Sequence, residues 1–220
     1  VNEQSAEPKS ATAKAGRPVR AYLARKTIHL AMTLVPLAGW WRGYRLALLL
    51  AGLLLAASLL LEASRRWWPW VNRLLWKLLP TTFRAWEDRR VLGSTWFSIG
   101  ALAALLLFGL DAGGAAILFL AWGDPAAELV GRRWGSPEKQ KTWAGSLGCL
   151  AACLLAGLLA RAQGGSTLWG LGLGALVATA TERWSPPPDD NLWVPVFSAL
   201  VVMLVAWIGG GTLVLFPLWQ

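Results

Sequence analysis

A carboxylate in the middle of an apolar run is the first sign of chemistry in this sequence. Residues 120–146 read LAWGDPAAELVGRRWGSPEKQKTWAGS, a membrane-grade stretch into which Gly123, Asp124 and Pro125 are set. A carboxylate near a bilayer centre costs roughly 2.5–3.5 kcal/mol on insertion scales, so Asp124 is a functional candidate by default. Asp followed by Pro also has the form of a helix N-cap and first turn, which predicts a span broken at Gly123–Pro125. From there Asp124, Ala127, Glu128, Gly131 and Gly135 recur at helical spacing on one small, acidic face. Arg132, Arg133, Lys139 and Lys141 follow it. Glycines and a helix N-terminus present backbone N–H groups to anionic oxygens, and a carboxylate beside them suits a divalent metal. This is a pattern for a phosphorylated ligand. No GxxxxGK[ST] stretch occurs, so ordinary P-loop chemistry is disfavoured.

Three further clusters have the right residue types. Arg25, Lys26 and His29 open the first apolar run, and Arg25 and His29 share a helical face. His29 is the only histidine and lies about one turn into the apolar region, where an ionisable group needs a reason. Glu87, Asp88, Arg89 and Arg90 precede Gly93 and Ser94 at the head of another apolar run. Glu182 is followed, across Pro186–Pro187–Pro188, by Asp189, Asp190 and Asn191. These acids supply a second source of metal ligands, with Asp124, Glu87 and Asp190 as the metal set. Cys149 and Cys153 lie four apart in a Leu/Ala-rich run and read as small core residues.

The elements that position these groups are membrane helices. The 220 residues are 55% hydrophobic with a mean hydropathy of +0.46, enough for one polytopic domain. Apolar runs predict an all-α protein with seven spans near 25–39, 44–61, 93–110, 112–132, 145–159, 167–181 and 194–218. Residues 62–92 carry an interfacial amphipathic helix, with Trp70, Leu74, Leu75 and Leu78 opposite Arg73 and Lys77. Many of the sixteen tryptophans flank the spans, where indole suits the headgroup level. Residues 1–20 read as a disordered cytoplasmic tail and 21–220 as a single transmembrane catalytic domain. No signal-peptide pattern is visible after Val1.

The net charge of +9 is distributed for topology. Of the 21 Lys and Arg, only Arg42, Arg45 and Arg161 fall outside when the N-terminus is placed in the cytoplasm. The C-terminus then lies on the opposite side. The same layout puts Glu87, Asp124, Glu128, Glu182 and Asp190 toward the cytoplasmic face, so an active site is expected there. Nucleic acid is not an expected partner, because the basic residues sit between apolar runs beside anionic headgroups.

Taken in order, RKxxH at Arg25–His29, Glu87 ahead of GSTWF, and GDxxAxxxGRxxG at Gly123–Gly135 resemble the dolichol kinase/phytol kinase family. KTxxGS at Lys141–Ser146 and Glu182 followed by DNLxxP at Asp190–Pro195 extend the resemblance over residues 25–200. These are polytopic enzymes that phosphorylate isoprenoid alcohols with CTP. The resemblance implies a CTP site at Asp124, Ala127, Gly131, Gly135, Lys141, Thr142 and Gly145. Glu128, Arg132, Arg133, Lys139, Ser146, Arg25 and Lys26 are the surrounding nucleotide-site candidates. Asp124, Glu182, His29 and Glu87 are the catalytic candidates, Mg²⁺ the expected cofactor, and Asn191 an accessory position. One departure stands out: the family pattern has Glu directly before the glycine of KTxEG, where this chain has Ala144. Either Glu128 or Glu138 takes that role, or Ala144 is a replacement that keeps binding and removes turnover.

The expected activity is therefore phosphoryl transfer from CTP to the terminal hydroxyl of a polyprenol-, dolichol- or phytol-like alcohol in the bilayer. Such transfer depends on positioning and charge neutralisation. A phosphatidate cytidylyltransferase is the alternative enzyme, although its KDxxPGxGG-type signature is absent. A transporter or scaffold built on broken helices is the alternative outside enzymes. The sequence leaves a homo-oligomer open.

Overall fold

The computed structural model describes residues 26–78, 90–135, 141–164 and 166–210, and among these every regular element is helical. Arg25, Glu87, Lys139, Glu138 and the expected 1–20 tail lie outside the described residues. Residues 26–31 are helical, and after a turn at 32–33 come α1 (Leu34–Arg42), α2 (Tyr44–Trp67) and α3 (Pro69–Leu78). Then follow α4 (Gly93–Trp134), α5 (Trp143–Ala162), α6 (Leu168–Trp184) and α7 (Asp190–Ile208).

The long α4 is the element on which the others pack. Its second half is made of small and apolar residues on all sides, from Ala112 to Ala121, and these are fully or almost fully buried. A helix apolar all round belongs at the centre of a membrane bundle. At 42 residues it would be about 63 Å long if straight, twice a hydrocarbon core of ~30 Å. It is not straight. Gly109 has φ 74° and ψ −174°, a left-handed φ that favours glycine, and the chain turns back there. The two arms then lie against each other so closely that a Cβ on Gly113 would sit 2.7 Å from the Ala104 carbonyl oxygen.

This relocates the expected break. The helix runs uninterrupted through Gly123, Asp124 and Pro125. Gly123 is small because a Cβ there would come within 2.8 Å of Cys153 Sγ and 2.9 Å of Cys149 Sγ. It packs helices together and does not hinge one. The two cysteines are buried and free, as their core reading requires.

Among the described residues four helices, α2, α4, α5 and α7, are long and apolar enough to cross a membrane. The expected spans over 93–110 and 112–132 are joined as α4. The first expected span is divided by the turn at 32–33, and α6, at 17 residues, falls just short. Around the bundle Leu49, Leu53, Leu60, Leu147, Leu155 and Leu173 face outward, as a lipid-facing surface requires. The amphipathic segment forms as α3, with Trp70 and Leu74 exposed beside exposed Trp67 and Trp68.

Candidate active site

The ends of the elements converge where the sequence placed its charges. Residues 26–31 bring in Lys26 and His29, α4 brings Asp124 and Glu128, and the segment before α5 brings Lys141. The end of α6 adds Glu182 and the start of α7 adds Asp190. Lys26 Nζ lies 2.5 Å from Asp124 Oδ2 and 3.0 Å from Glu128 Oε2. His29 Nδ1 is 3.1 Å from the same Asp124 oxygen, and its ring rests against Phe97 at 5.2 Å. Lys26 and His29 are both buried. His29 and Asp124 thus meet in space across 95 residues of chain.

Lys141 is the second centre. Its Nζ donates to Glu182 Oε1 at 2.5 Å, to the Glu182 carbonyl at 2.5 Å and to Asp190 Oδ2 at 2.8 Å. Burial alone would lower its pKa, but Asp190 and Glu182 outweigh burial and hold it above the ordinary lysine value. The ammonium therefore stays charged through the neutral range. Asp190 Oδ2 also accepts from Ser185 Oγ at 2.8 Å. Asp124 is close enough to both Glu182 and Asp190 to repel them, so three carboxylates from three helices share one field.

The α6–α7 turn is built to hold this arrangement. Asp189 caps α7 by accepting from Asn191 N at 3.0 Å, and it also accepts from Asn191 Nδ2 at 2.7 Å. Asn191 is buried, and its carbonyl packs on α4, where a Cβ on Gly100 would meet it at 2.9 Å. Asn191 thus fixes Asp190 in place.

The glycines of GDxxAxxxGRxxG and KTxxGS serve a close crossing of α4 and α5. A Cβ on Gly145 would lie 2.7 Å from the Ala127 carbonyl, and one on Gly131 would lie 3.0 Å from Thr142 Oγ1. Gly135 would meet Thr142 Oγ1 at 2.5 Å. Thr142 is the N-cap of α5, accepting from Gly145 N at 3.0 Å. The backbone that approaches this small face is the protein's own. Ser146 donates to the Thr142 carbonyl at 3.3 Å and accepts from Arg183 at 3.2 Å, while the Arg183 guanidinium stacks on Trp143 at 3.8 Å. Arg132 pairs with Glu128, and Arg133 lies over Trp134 at the exposed end of α4.

Ala144 occupies the first turn of α5. The Ala127–Gly145 contact puts Glu128 and Ala144 one residue to either side of it.

One charged cluster was not anticipated from sequence. Glu62 and Arg65, both buried, pair at 3.0 Å near the end of α2. Glu62 Oε1 accepts from Leu92 N at 2.6 Å, where α4 begins, and Arg65 donates to the Arg90 carbonyl. The one available signal was an acid and two arginines within one turn of a Leu-rich helix.

Among the described residues no group of three or more His, Cys, Asp or Glu side chains is gathered for a metal ion. Mg²⁺ takes only one or two carboxylates and completes its shell with phosphate oxygens and water. Asp124 and Asp190, acids in a shared field, fit that requirement.

No protein-family model matches the chain, and no solved structure matches it. A phytol kinase from Synechocystis sp. is 32% identical over 201 residues, covering 86% of this chain and 80% of that protein. This chain belongs to its family. The same CTP-dependent lipid kinase family contains further relatives. A CTP-dependent diacylglycerol kinase 1 from Eremothecium gossypii is 28% identical over 172 residues, 64% of this chain and 53% of that protein. Another of that name, from Schizosaccharomyces pombe, is 27% identical over 172 residues, 63% of this chain and 71% of that protein. The chain thus spans about half the length of the first of these lipid kinases and most of the phytol kinase.

Proposed function

We propose that this protein is a CTP-dependent kinase that phosphorylates the terminal hydroxyl of an isoprenoid alcohol in the membrane. The observation that carries the reading is the meeting of Asp124, Glu182 and Asp190 with Lys26, Lys141 and His29 at one end of a bundle of lipid-facing helices. Membership of the phytol kinase family supports CTP as donor and a membrane lipid as acceptor. The charge distribution supports a cytoplasmic site and N-terminus. With α4 counted as two arms and residues 26–42 as one pass, the chain crosses the membrane seven times.

In this reading Asp124 and Asp190 hold Mg²⁺, with Glu87 as a further ligand. The ion would neutralise the donor phosphates. Arg132, Arg133, Lys139 and Lys141 bind the triphosphate, with Arg25 and Lys26 at its edge. His29, whose Nδ1 lies 3.1 Å from Asp124 Oδ2, accepts the alcohol proton. Glu182 is the second group able to take that proton. Glu128 stands in for the acid missing at Ala144.

The curated diacylglycerol kinases among the relatives support a second acceptor, diacylglycerol. Both are tested together. The purified chain is given γ-labelled CTP, ATP, GTP or UTP with farnesol, geranylgeraniol, phytol, a long polyprenol or diacylglycerol, alongside Ala144→Glu. Label on an isoprenoid monophosphate with CTP is expected, and label on phosphatidate moves the substrate to diacylglycerol. A CDP-lipid with pyrophosphate would instead mark a cytidylyltransferase. No labelled lipid from any donor, in either variant, ends the kinase reading.

A further inference from the structure

Each of the two lysines at the site lies between two carboxylates, but they are placed differently. Lys26 is 3% exposed and bridges Asp124 and Glu128, one turn apart on α4. Lys141 bridges Glu182 on α6 and Asp190 on α7, with its side chain 34% exposed while theirs are 8% and 16% exposed. It lies two residues before the start of α5. Its long stem allows the ammonium to leave without any helix moving. The acids cannot follow it, because one ends α6 and the other begins α7.

An ammonium 2.5–2.8 Å from two acids does there what a bound cation would do. Asp124 repels both acids from the third side. Without Lys141 the remaining charges are uncompensated in a largely buried site, and they must acquire a proton or a cation. We propose that Lys141 is a resident counter-ion that keeps the Glu182–Asp190 place closed to divalent cations until nucleotide arrives. It then transfers to the phosphates as the metal takes Asp190. This rests on the kinase reading for the identity of the nucleotide, but the competition between lysine and metal does not require turnover.

The test measures Mn²⁺ binding to the full chain in detergent, without nucleotide, by electron paramagnetic resonance. Lys141→Met is expected to bind Mn²⁺ about tenfold more tightly than the unaltered chain, equivalent to ~1.4 kcal/mol. Lys141→Arg keeps the charge and is expected to show no gain. Adding Asp190→Asn to Lys141→Met is expected to remove the gain. Lys141→Gln, which can still donate to one acid, replaces the Met variant should that fail to fold. If neither folds in chelator, recovery with Mn²⁺ but not with NaCl of equal ionic strength supports the inference, and failure to recover overturns it. Equal Mn²⁺ affinity in folded Lys141→Met and the unaltered chain also overturns it. If the unaltered chain phosphorylates lipid while Lys141→Met shows no gain, the lysine inference alone fails. If no lipid is phosphorylated with any donor but the gain appears, only the kinase reading fails.

Discussion

Two buried charge clusters sit near the same end of this bundle, and they are built on opposite plans. Around Glu62 the acid is neutralised within its own helix by Arg65, with Arg66 Nε 3.4 Å away. Its remaining capacity is filled by the Leu92 amide, and Arg65 spends a further donor on the Arg90 carbonyl. Around Lys141 and Lys26 the acids outnumber the lysines, come from three helices, and repel one another. A closed cluster fixes chain geometry. A cluster in which like charges are held together by the fold suits the proposed binding of a cation and a phosphate.

Breaking each cluster should therefore give a different kind of failure. Glu62→Ala removes the neutralising acid from a buried Arg65 and the acceptor from the first turn of α4. A loss of about 3–5 kcal/mol in stability is expected, read as a large fall in detergent melting temperature. Little change would mean the cluster is solvated and the contrast false. Asp124→Asn keeps the shape and leaves Glu128 for Lys26, so the melting temperature should barely move. Lipid phosphorylation should fall by on the order of 10²–10³, as for other lost electrostatic groups. A fall in stability with activity preserved would make Asp124 structural. Thr142→Val removes the N-cap of α5 at the crossing with α4 and should cost about 1 kcal/mol of stability. Because Thr142 also touches Gly131 and Gly135, a specific rise in the KM for CTP would show that this crossing serves the nucleotide as well.

Much of the site was legible in advance because ionisable residues in apolar runs have few reasons to be there. Asp124 and His29 were conspicuous on that ground, Lys26, Glu182 and Asp190 stood out as charges at the ends of the same runs, and membrane topology gathers them at one end. Glu62 escaped notice because an acid beside arginines at a span end looks like an ordinary boundary. Only its contact with Leu92, 30 residues later, reveals that it is buried.

Sequence by itself determined the class of molecule, the end at which its charges collect, and the family to which it belongs. These follow from hydropathy, charge order and ordered motifs, which need no coordinates. Tertiary structure alone decided what each glycine is for. Gly109 supplies a left-handed φ and folds α4 back on itself, whereas Gly123, Gly131 and Gly145 are small to admit a neighbouring helix. Conformational freedom and close approach demand the same residue, so the letters cannot distinguish a hinge from a contact. The structure likewise decided that Lys141 rests on acids, because which helix ends become neighbours is set by packing across the bundle.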